Sequence, residues 1–211
     1  HQTHSYFGVA KGVVDLAMAT GEDKYLKQAQ KAFDDSLLSL WCTGGVSEHF
    51  AGFWECGDEP GCSVMDWGGL CLRLYKATGE VRYLDAMELA ILNHYLAAQS
   101  DNGSTYCART LNRQTTGYDK NRGMKTDFCC TQATGWFLGQ IAVQTITANN
   151  DGFSSNLPFD LDVTTKRNGN TVRINQKIHI NPNTIRQELY VYNGDKAPFD
   201  LKIRVPYWSD N

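Results

Sequence analysis

An internal repeat constrains the fold of this chain more than any other feature of its sequence. Residues Leu16–Phe33 read LAMATGEDKYLKQAQKAF, and residues Leu74–Ile91 read LYKATGEVRYLDAMELAI. Eight of the 18 aligned positions are identical, and the two copies lie 58 residues apart. Each copy predicts a helix, a glycine-capped turn and a returning helix, because glycine suits the left-handed position that follows a last helical turn. Repeated helix pairs cover one another's apolar faces, so the sequence predicts a stack or ring of helical hairpins.

Apolar residues at three- and four-residue spacing extend this prediction to five helices. The expected segments are 6–20, 23–40, 64–77, 82–99 and 132–147. In the first of them, the set expected to face inward is Tyr6, Val9, Ala10, Val13, Val14, Leu16 and Ala17. A long loop over 41–61 separates the two helix pairs. Long loops on a rigid helical frame are usual places for a binding site.

The period changes from helical to two after residue 150. The segment 171–180 reads TVRINQKIHI and alternates apolar with polar residues, as a half-buried strand does. Asn168-Gly169-Asn170 and Asn193-Gly194-Asp195 are typical of hairpin turns. We therefore predict a mainly α fold with a β C-terminal part, divided into a helical domain over 1–150 and an antiparallel β domain over 151–211.

Composition excludes several classes of protein. The formal net charge is −3, 20% of the residues are charged and the mean hydropathy is −0.41. These values argue against disorder, against a basic nucleic-acid-binding surface and against a membrane span. A soluble protein is expected, either cytoplasmic or secreted, and a homodimer is compatible with the sequence. Because the chain begins with His1 and ends directly after a strand-like segment, we expect it to be part of a longer protein.

The seven cysteines are too sparse for a disulfide-stapled scaffold. Cys62 begins a predicted helix and Cys129-Cys130 precede another, where backbone N–H groups favour the thiolate. Asp58 and Glu59 lie immediately upstream of Cys62, and one such carboxylate with these three thiols would make a four-ligand zinc site. The alternative is that the adjacent cysteines are buried thiols, since vicinal cysteines are not the usual chelating spacing. The four other cysteines are expected to be core thiols or disulfide partners: Cys42, Cys56, Cys71 and Cys107.

The loop between the helix pairs carries a second group of candidate residues. It reads TGGVSEHF over 43–50 and continues to Trp54. Aromatic faces stack on sugar rings, and the Glu48 carboxyl can protonate a glycosidic oxygen if its pKa is raised. His49 and Trp54 are candidate sugar contacts. The alternative is a solvated carboxylate beside aromatic residues that pack between helices.

In combination, five motifs resemble the bacterial β-L-arabinofuranosidases of glycoside hydrolase family 127. The motifs, in order, are HSYFGVAKGVVDLAMATGEDKYL from His4, TGGVSEHF, CSVMDWGGLCLRLYKATGEVRYLDAMELAILNHYL, FCC and APFDLKIRVPYW. The resemblance implies the later helices of an (α/α)6 barrel followed by the start of a β-sandwich. It also implies a retaining glycosidase that acts on an oligo- or polysaccharide, with no nucleic-acid or membrane partner.

The resemblance further implies a role for each candidate residue. Cys129 would be the nucleophile, and Glu48 would be the general acid/base. Zinc would be held by one glutamate and three cysteines: Glu59, Cys62, Cys129 and Cys130. His4 would contact the sugar. The chain departs from the family's Glu-x-Cys motif, because it reads Glu59-Pro60-Gly61-Cys62.

Two other functions are compatible with these residues. A non-catalytic relative would keep the aromatic-lined helical cleft and lack the metal and the nucleophile. A polysaccharide lyase built on a helical toroid would need a tyrosine or histidine base with a basic partner, which Tyr106, Arg109 and Arg113 could supply. Metal content separates the hydrolase from the binding protein, since the hydrolase should hold about one zinc per chain.

Overall fold

The computed structural model describes residues 3–37, 61–99, 129–181, 184–194 and 197–209. The chain divides into two compact units, His1–Leu138 and Gly139–Asn211. The helices are α1 (Thr3–Thr20), α2 (Asp23–Leu37), α3 (Gly61–Thr78), α4 (Arg82–Ala90) and α5 (Cys129–Thr145), with a π turn at Ile91–Tyr95 and a 3₁₀ turn at Leu96–Ala98. A helical part followed by β strands was predicted, and the structure confirms it.

The two copies of the repeat form the same turn with the same hydrogen bonds. The Thr20 hydroxyl donates to the Leu16 carbonyl at 2.8 Å, and the Thr78 hydroxyl donates to the Leu74 carbonyl at 2.8 Å. The next residue is glycine in the left-handed region, with φ of 72° at Gly21 and 75° at Gly79. Glycine adopts this φ without steric cost, so both helices end at the same point of the repeat.

An aromatic cluster joins the first four helices of unit 1. The ring of Trp67 on α3 stacks on Phe33 of α2 with centroids 4.8 Å apart, and it contacts Phe7 of α1 at 5.2 Å. Phe33 in turn meets Tyr83 of α4 edge-on at 4.7 Å. Pairs of this geometry add about 0.5–1.5 kcal/mol each to the burial of their area. One cluster therefore ties both hairpins of the repeat together.

The buried face of α1 is narrower than the sequence predicts. Its buried residues follow a strict four-three spacing: Thr3, Phe7, Ala10, Val14 and Ala17. Val9 is 69% exposed and Leu16 is 43% exposed, so the prediction that they face inward is wrong. The three- and four-residue spacing of apolar residues predicts a wider buried face on α1 than the one that α2 and α3 cover.

The fourth predicted helix is not continuous, since the α-helical hydrogen bonding ends at Ala90 and a π turn follows. At the last residue of this wider turn, the Tyr95 hydroxyl donates to the Thr134 carbonyl of α5 at 3.2 Å. The Tyr95 ring packs edge-on against Phe137 with centroids 5.5 Å apart. π turns insert one residue and rotate the side chains that follow. Propensity alone does not reveal such a turn, because each residue of Ile91–Tyr95 is compatible with an α-helix.

Unit 2 contains two three-stranded sheets. Its strands are β1 (Ile146–Ala148), β2 (Gly152–Ser155), β3 (Leu161–Arg167), β4 (Asn170–Asn181), β5 (Thr184–Asn193) and β6 (Asp200–Ile203). One sheet has the order β1-β2-β6, in which β2 and β6 are parallel, and the other is an antiparallel meander, β3-β4-β5. Asn168 and Gly169 have φ of 51° and 83°, which confirms the predicted hairpin turn.

Apolar and polar contacts both join the strands of unit 2. The apolar core contains Ile146, Phe153, Val172 and Ile174. Beside it, the fully buried Gln176 accepts a hydrogen bond from the Ser155 hydroxyl at 2.6 Å and donates to the Leu157 carbonyl at 2.8 Å. A buried amide needs such partners to offset its desolvation. Ile180, one of the alternating apolar residues of the segment 171–180, is 70% exposed.

No helix in the described ranges combines the length and the apolar content that a membrane crossing requires.

The close approach of α5 to α3 yields a stability prediction. A Cβ on Gly68 would lie 2.2 Å from Cζ of Phe137, whose side chain is fully buried. We expect Gly68→Ala to lower the free energy of unfolding by about 1–3 kcal/mol, because the ring must shift in a packed core. Chemical denaturation measures this loss.

Gly12→Ala is the matched control, since Gly12 lies on exposed α1 surface with no atom within 4 Å of the added Cβ. It should stabilise the protein by up to about 1 kcal/mol through helix propensity. Equal effects of the two substitutions would contradict the packing described for Gly68.

Candidate functional site

Helices α1 and α3 run in the same direction, and this brings their first turns to the same end of unit 1. The Thr3 hydroxyl donates to the Ser63 hydroxyl at 2.9 Å, and about three turns further along both helices the Arg73 guanidinium donates to Asp15 at 2.9 Å. Residue numbers therefore rise together along both helices. Thr3 and Ser63 adjoin His4 and Cys62 in sequence, so two of the predicted site residues lie at one end of the helix pair.

Cys62 occupies the first turn of α3. Its side chain is 6% exposed, and it forms no disulfide. The first turn of a helix carries backbone N–H groups without intrahelical acceptors, and their partial positive charge favours a thiolate. The position therefore suits a metal ligand or a reactive thiol, as the sequence predicts.

Cys129 and Cys130 are the first two residues of α5. The sequence predicts them just before a helix, and the structure begins the helix with them. Their backbone thus has the same placement as that of Cys62, in the first turn of a long helix. Their side chains lie outside the described residues, as do Glu48, His49, Trp54 and Glu59.

Helix α5 contacts the α1–α3 pair one to two turns beyond these cysteines. Phe137 of α5 packs against Gly68, and the Lys11 ammonium lies 5.7 Å from the centroid of the Trp136 ring. On α1 and α3, the residues at this contact are Lys11, Gly68 and Gly69. They too lie about two turns after the start of their helices. Three helices whose first turns carry predicted site residues therefore pack together within unit 1.

A buried charge cluster near the first turns was missed by the sequence analysis. The Asp66 carboxylate is 2% exposed and is contacted by His4 Nδ1 at one oxygen and by Lys11 Nζ at the other. An aspartate flanked by Met65 and Trp67, inside an otherwise apolar helix, was the available signal. A carboxylate at such a position must be paired, because an unpaired buried charge costs several kcal/mol.

Within the described ranges, no three His, Cys, Asp or Glu side chains gather into a metal site. The predicted zinc set is not tested by this observation, because Cys62 is its one member whose side chain the structure describes. The predicted lyase residues Tyr106, Arg109 and Arg113 and the cysteines Cys42, Cys56 and Cys107 also lie outside the described part of the chain.

Cys71 is a core thiol rather than a disulfide partner. It lies on α3 nine residues after Cys62, is fully buried and forms no disulfide. Burial raises the pKa of the Cys71 thiol well above its usual range, and a hydrogen bond with the backbone offsets this only in part. The thiol is therefore neutral at physiological pH, in contrast to what a ligand or nucleophile requires.

Comparison with known proteins identifies the family. Residues 1–138 match the model of the β-L-arabinofuranosidase GH127 catalytic domain. The chain belongs to this family, and the match ends at the residue that closes unit 1. A comparison with curated protein sequences found no match.

Solved structures share the fold over the whole chain. A GH127 β-L-arabinofuranosidase from Geobacillus stearothermophilus T6 aligns with a TM-score of 0.76 and 19% identity, covering 100% of this chain and 36% of that one. The GH127 β-arabinofuranosidase BT3674 aligns with a TM-score of 0.77 and 22% identity, covering 99% and 34%. A structure described as a glycoside hydrolase aligns with a TM-score of 0.78 and 18% identity, covering 100% and 40%. The chain thus spans about a third to two-fifths of their length.

The burial of Cys71 generates a prediction about thiol reactivity. Because its pKa is higher in the folded protein, Cys71 should resist iodoacetamide at pH 8 and react only after denaturation. Peptide mass spectrometry with and without denaturant measures the labelled fraction. Substantial labelling of Cys71 under native conditions would contradict its placement in the core.

Proposed function

We propose that this chain forms part of the catalytic domain of a retaining glycoside hydrolase that cleaves terminal β-L-arabinofuranosyl-type linkages. The observation that carries the proposal is the match of residues 1–138 to the GH127 catalytic domain. The placement of Cys62, Cys129 and Cys130 in helix first turns supports it, because the chemistry proposed below needs ionised thiols at one place. The partner is accordingly an oligo- or polysaccharide.

The proposed architecture is the later part of an (α/α)6 barrel followed by the first strands of a β-sandwich. The repeated hairpin supports a barrel, because α1 and α3 are parallel neighbours and each is followed by a returning helix. Successive hairpins that continue this arrangement close into a ring. The two separate sheets of unit 2 are the elements from which a sandwich is built.

The proposed zinc ligands are Glu59, Cys62, Cys129 and Cys130. The donor set fits the ion, because three thiolates and one carboxylate satisfy a tetrahedral zinc site. The first turn of α3 offers Cys62 an environment that stabilises negative charge, and the first turn of α5 does so for the adjacent pair. When bound, zinc would keep the Cys129 sulfur ionised at neutral pH and restrict its motion.

In the proposed mechanism, two residues of this chain act on opposite faces of the sugar. The Cys129 sulfur attacks the anomeric carbon while the Glu48 carboxyl protonates the departing glycosidic oxygen. Glu48, now a carboxylate, takes a proton from a water molecule that attacks the same carbon, and the Cys129 sulfur leaves. Two displacements restore the original anomeric configuration, which is the retaining outcome. His4, His49 and Trp54 are proposed to bind and orient the sugar.

The sequence Glu59-Pro60-Gly61-Cys62 sets how the glutamate approaches the metal. Gly61 is the first residue of α3, and the proline before it fixes its own φ. A spacing of three between glutamate and cysteine, instead of two, requires a different turn, which glycine permits. Glu59 is therefore proposed as a zinc ligand that reaches the site through a rearranged turn.

One experiment compares Cys129→Ser with Glu48→Gln in the intact protein, on an aryl arabinofuranoside and on an alkyl arabinofuranoside. We expect Cys129→Ser to abolish turnover of both substrates, because neither can form the glycosyl–enzyme bond. Glu48→Gln should cost about two to four orders of magnitude in kcat on the alkyl substrate, and less on the aryl substrate, whose leaving group needs little protonation.

Cys71→Ala is the matched control, since it removes a cysteine of unit 1 whose side chain is buried in the core of α3. It should retain turnover on both substrates. Near-wild-type activity of Cys129→Ser would contradict the nucleophile assignment, and equal losses of Glu48→Gln on both substrates would contradict its role as acid. Inactivity of the wild-type protein with retained sugar binding would favour the non-catalytic alternative.

A further inference from the structure

Both oxygens of the Asp66 carboxylate contact side chains of α1. It is 2% exposed, with Oδ1 facing the Lys11 ammonium and Oδ2 facing Nδ1 of His4. The Lys11 side chain is 16% exposed, and its ammonium also faces the Trp136 ring. Lys11 therefore balances the buried negative charge, and the second oxygen is left to accept a hydrogen bond from His4.

This contact determines which nitrogen of His4 carries hydrogen. A carboxylate oxygen accepts hydrogen bonds, so Nδ1 must donate and bears the proton. In a neutral imidazole the other nitrogen, Nε2, then has a lone pair and acts as an acceptor. Within the described part of the chain, the bond to Asp66 is the one hydrogen bond of the His4 ring.

Part of the His4 side chain remains accessible. The His4 side chain is 43% exposed, while its Asp66 partner is buried. The ring thus lies between the buried carboxylate and an accessible surface at the first turns of α1 and α3, and Cys62 lies in the first turn of α3. An accessible acceptor on a rigidly held ring suits the hydroxyl group of a ligand, which donates a hydrogen bond.

We propose that Asp66 is a positioning residue that holds His4 with Nδ1 protonated, so that Nε2 accepts a hydrogen bond from a sugar hydroxyl. This inference rests on the proposed glycosidase function. A sugar hydroxyl is the donor that the Nε2 lone pair would accept.

The first test reads the tautomer directly. Long-range ¹H–¹⁵N spectra of the intact protein, labelled on histidine, should show His4 with a protonated Nδ1 and an unprotonated Nε2. His4→Gln assigns the signal by its loss. In Asp66→Asn the signal should shift towards the Nε2-protonated form. A wild-type His4 with hydrogen on Nε2 would overturn the proposal, whether or not the Asp66 variant folds.

The second test asks whether Asp66 acts through His4. Asp66→Asn should raise KM on a neutral arabinofuranoside about 3- to 10-fold, the range expected for one neutral hydrogen bond, with kcat within about two-fold. The same substitution in a His4→Ala background should add no further increase. An equal rise in both backgrounds would show that Asp66 only stabilises the helix pair, and would overturn the proposal.

Asp15→Asn is the matched control, because Asp15 joins the same two helices through Arg73 at their exposed surface. It should leave KM, kcat and the His4 tautomer unchanged. A wild-type protein without glycosidase activity would overturn the proposed function and the sugar contact together. The tautomer spectrum would still decide whether Asp66 fixes the His4 ring, so the two failures are distinguishable.

Discussion

The parallel packing of α1 on α3 is the constraint on which the rest of unit 1 depends. Trp67, Phe7 and Phe33 fill the centre of this packing with stacked and tilted rings. Within the described ranges, Asp66 is the only charged residue of α3 that is buried, and His4 and Lys11 on α1 contact its carboxylate. Burying that carboxylate is tolerated only in one register of the two helices. The same register brings His4 beside the start of α3, where Cys62 lies.

How much of this could be predicted from the sequence depends on the range of the interactions. The Ala-Thr-Gly-Glu turns and the Asn168-Gly169 hairpin are fixed by local backbone preferences, and the structure confirms them. The π turn at Ile91–Tyr95 and the exposure of Val9 depend on which neighbours pack against each helix. Such contacts between distant segments leave no trace in spacing or propensity.

The candidate site shows the same division between local and distant information. The position of Cys62 in a helix first turn follows from periodicity, and the repeat predicts that α3 resembles α1. The pairing of Asp66 with His4 and Lys11 joins residues more than 50 positions apart. One sequence cannot indicate that pairing. An aspartate within an apolar helix still signals that a buried partner must exist.

Two cysteines of α3 illustrate how position determines chemistry. Cys62 and Cys71 are both buried, but Cys62 lies in the first turn and Cys71 in the helix interior. Desolvation raises the pKa of the Cys71 thiol, because no positive charge among the described residues compensates it. A neutral thiol of this kind packs as a small apolar side chain. The first-turn N–H groups available to Cys62 favour the thiolate, which suits a metal. The proposed zinc chemistry rests on this distinction.

X-ray absorption at the zinc edge of the intact protein tests the proposed zinc site. We expect about one zinc per chain with a shell of three sulfur atoms at about 2.3 Å and one oxygen. Replacing Cys62 by Ser should remove one sulfur from the shell, while Cys71→Ala should leave it unchanged. A protein that binds no zinc, or zinc held by nitrogen and oxygen alone, would show that these thiols are not the ligands.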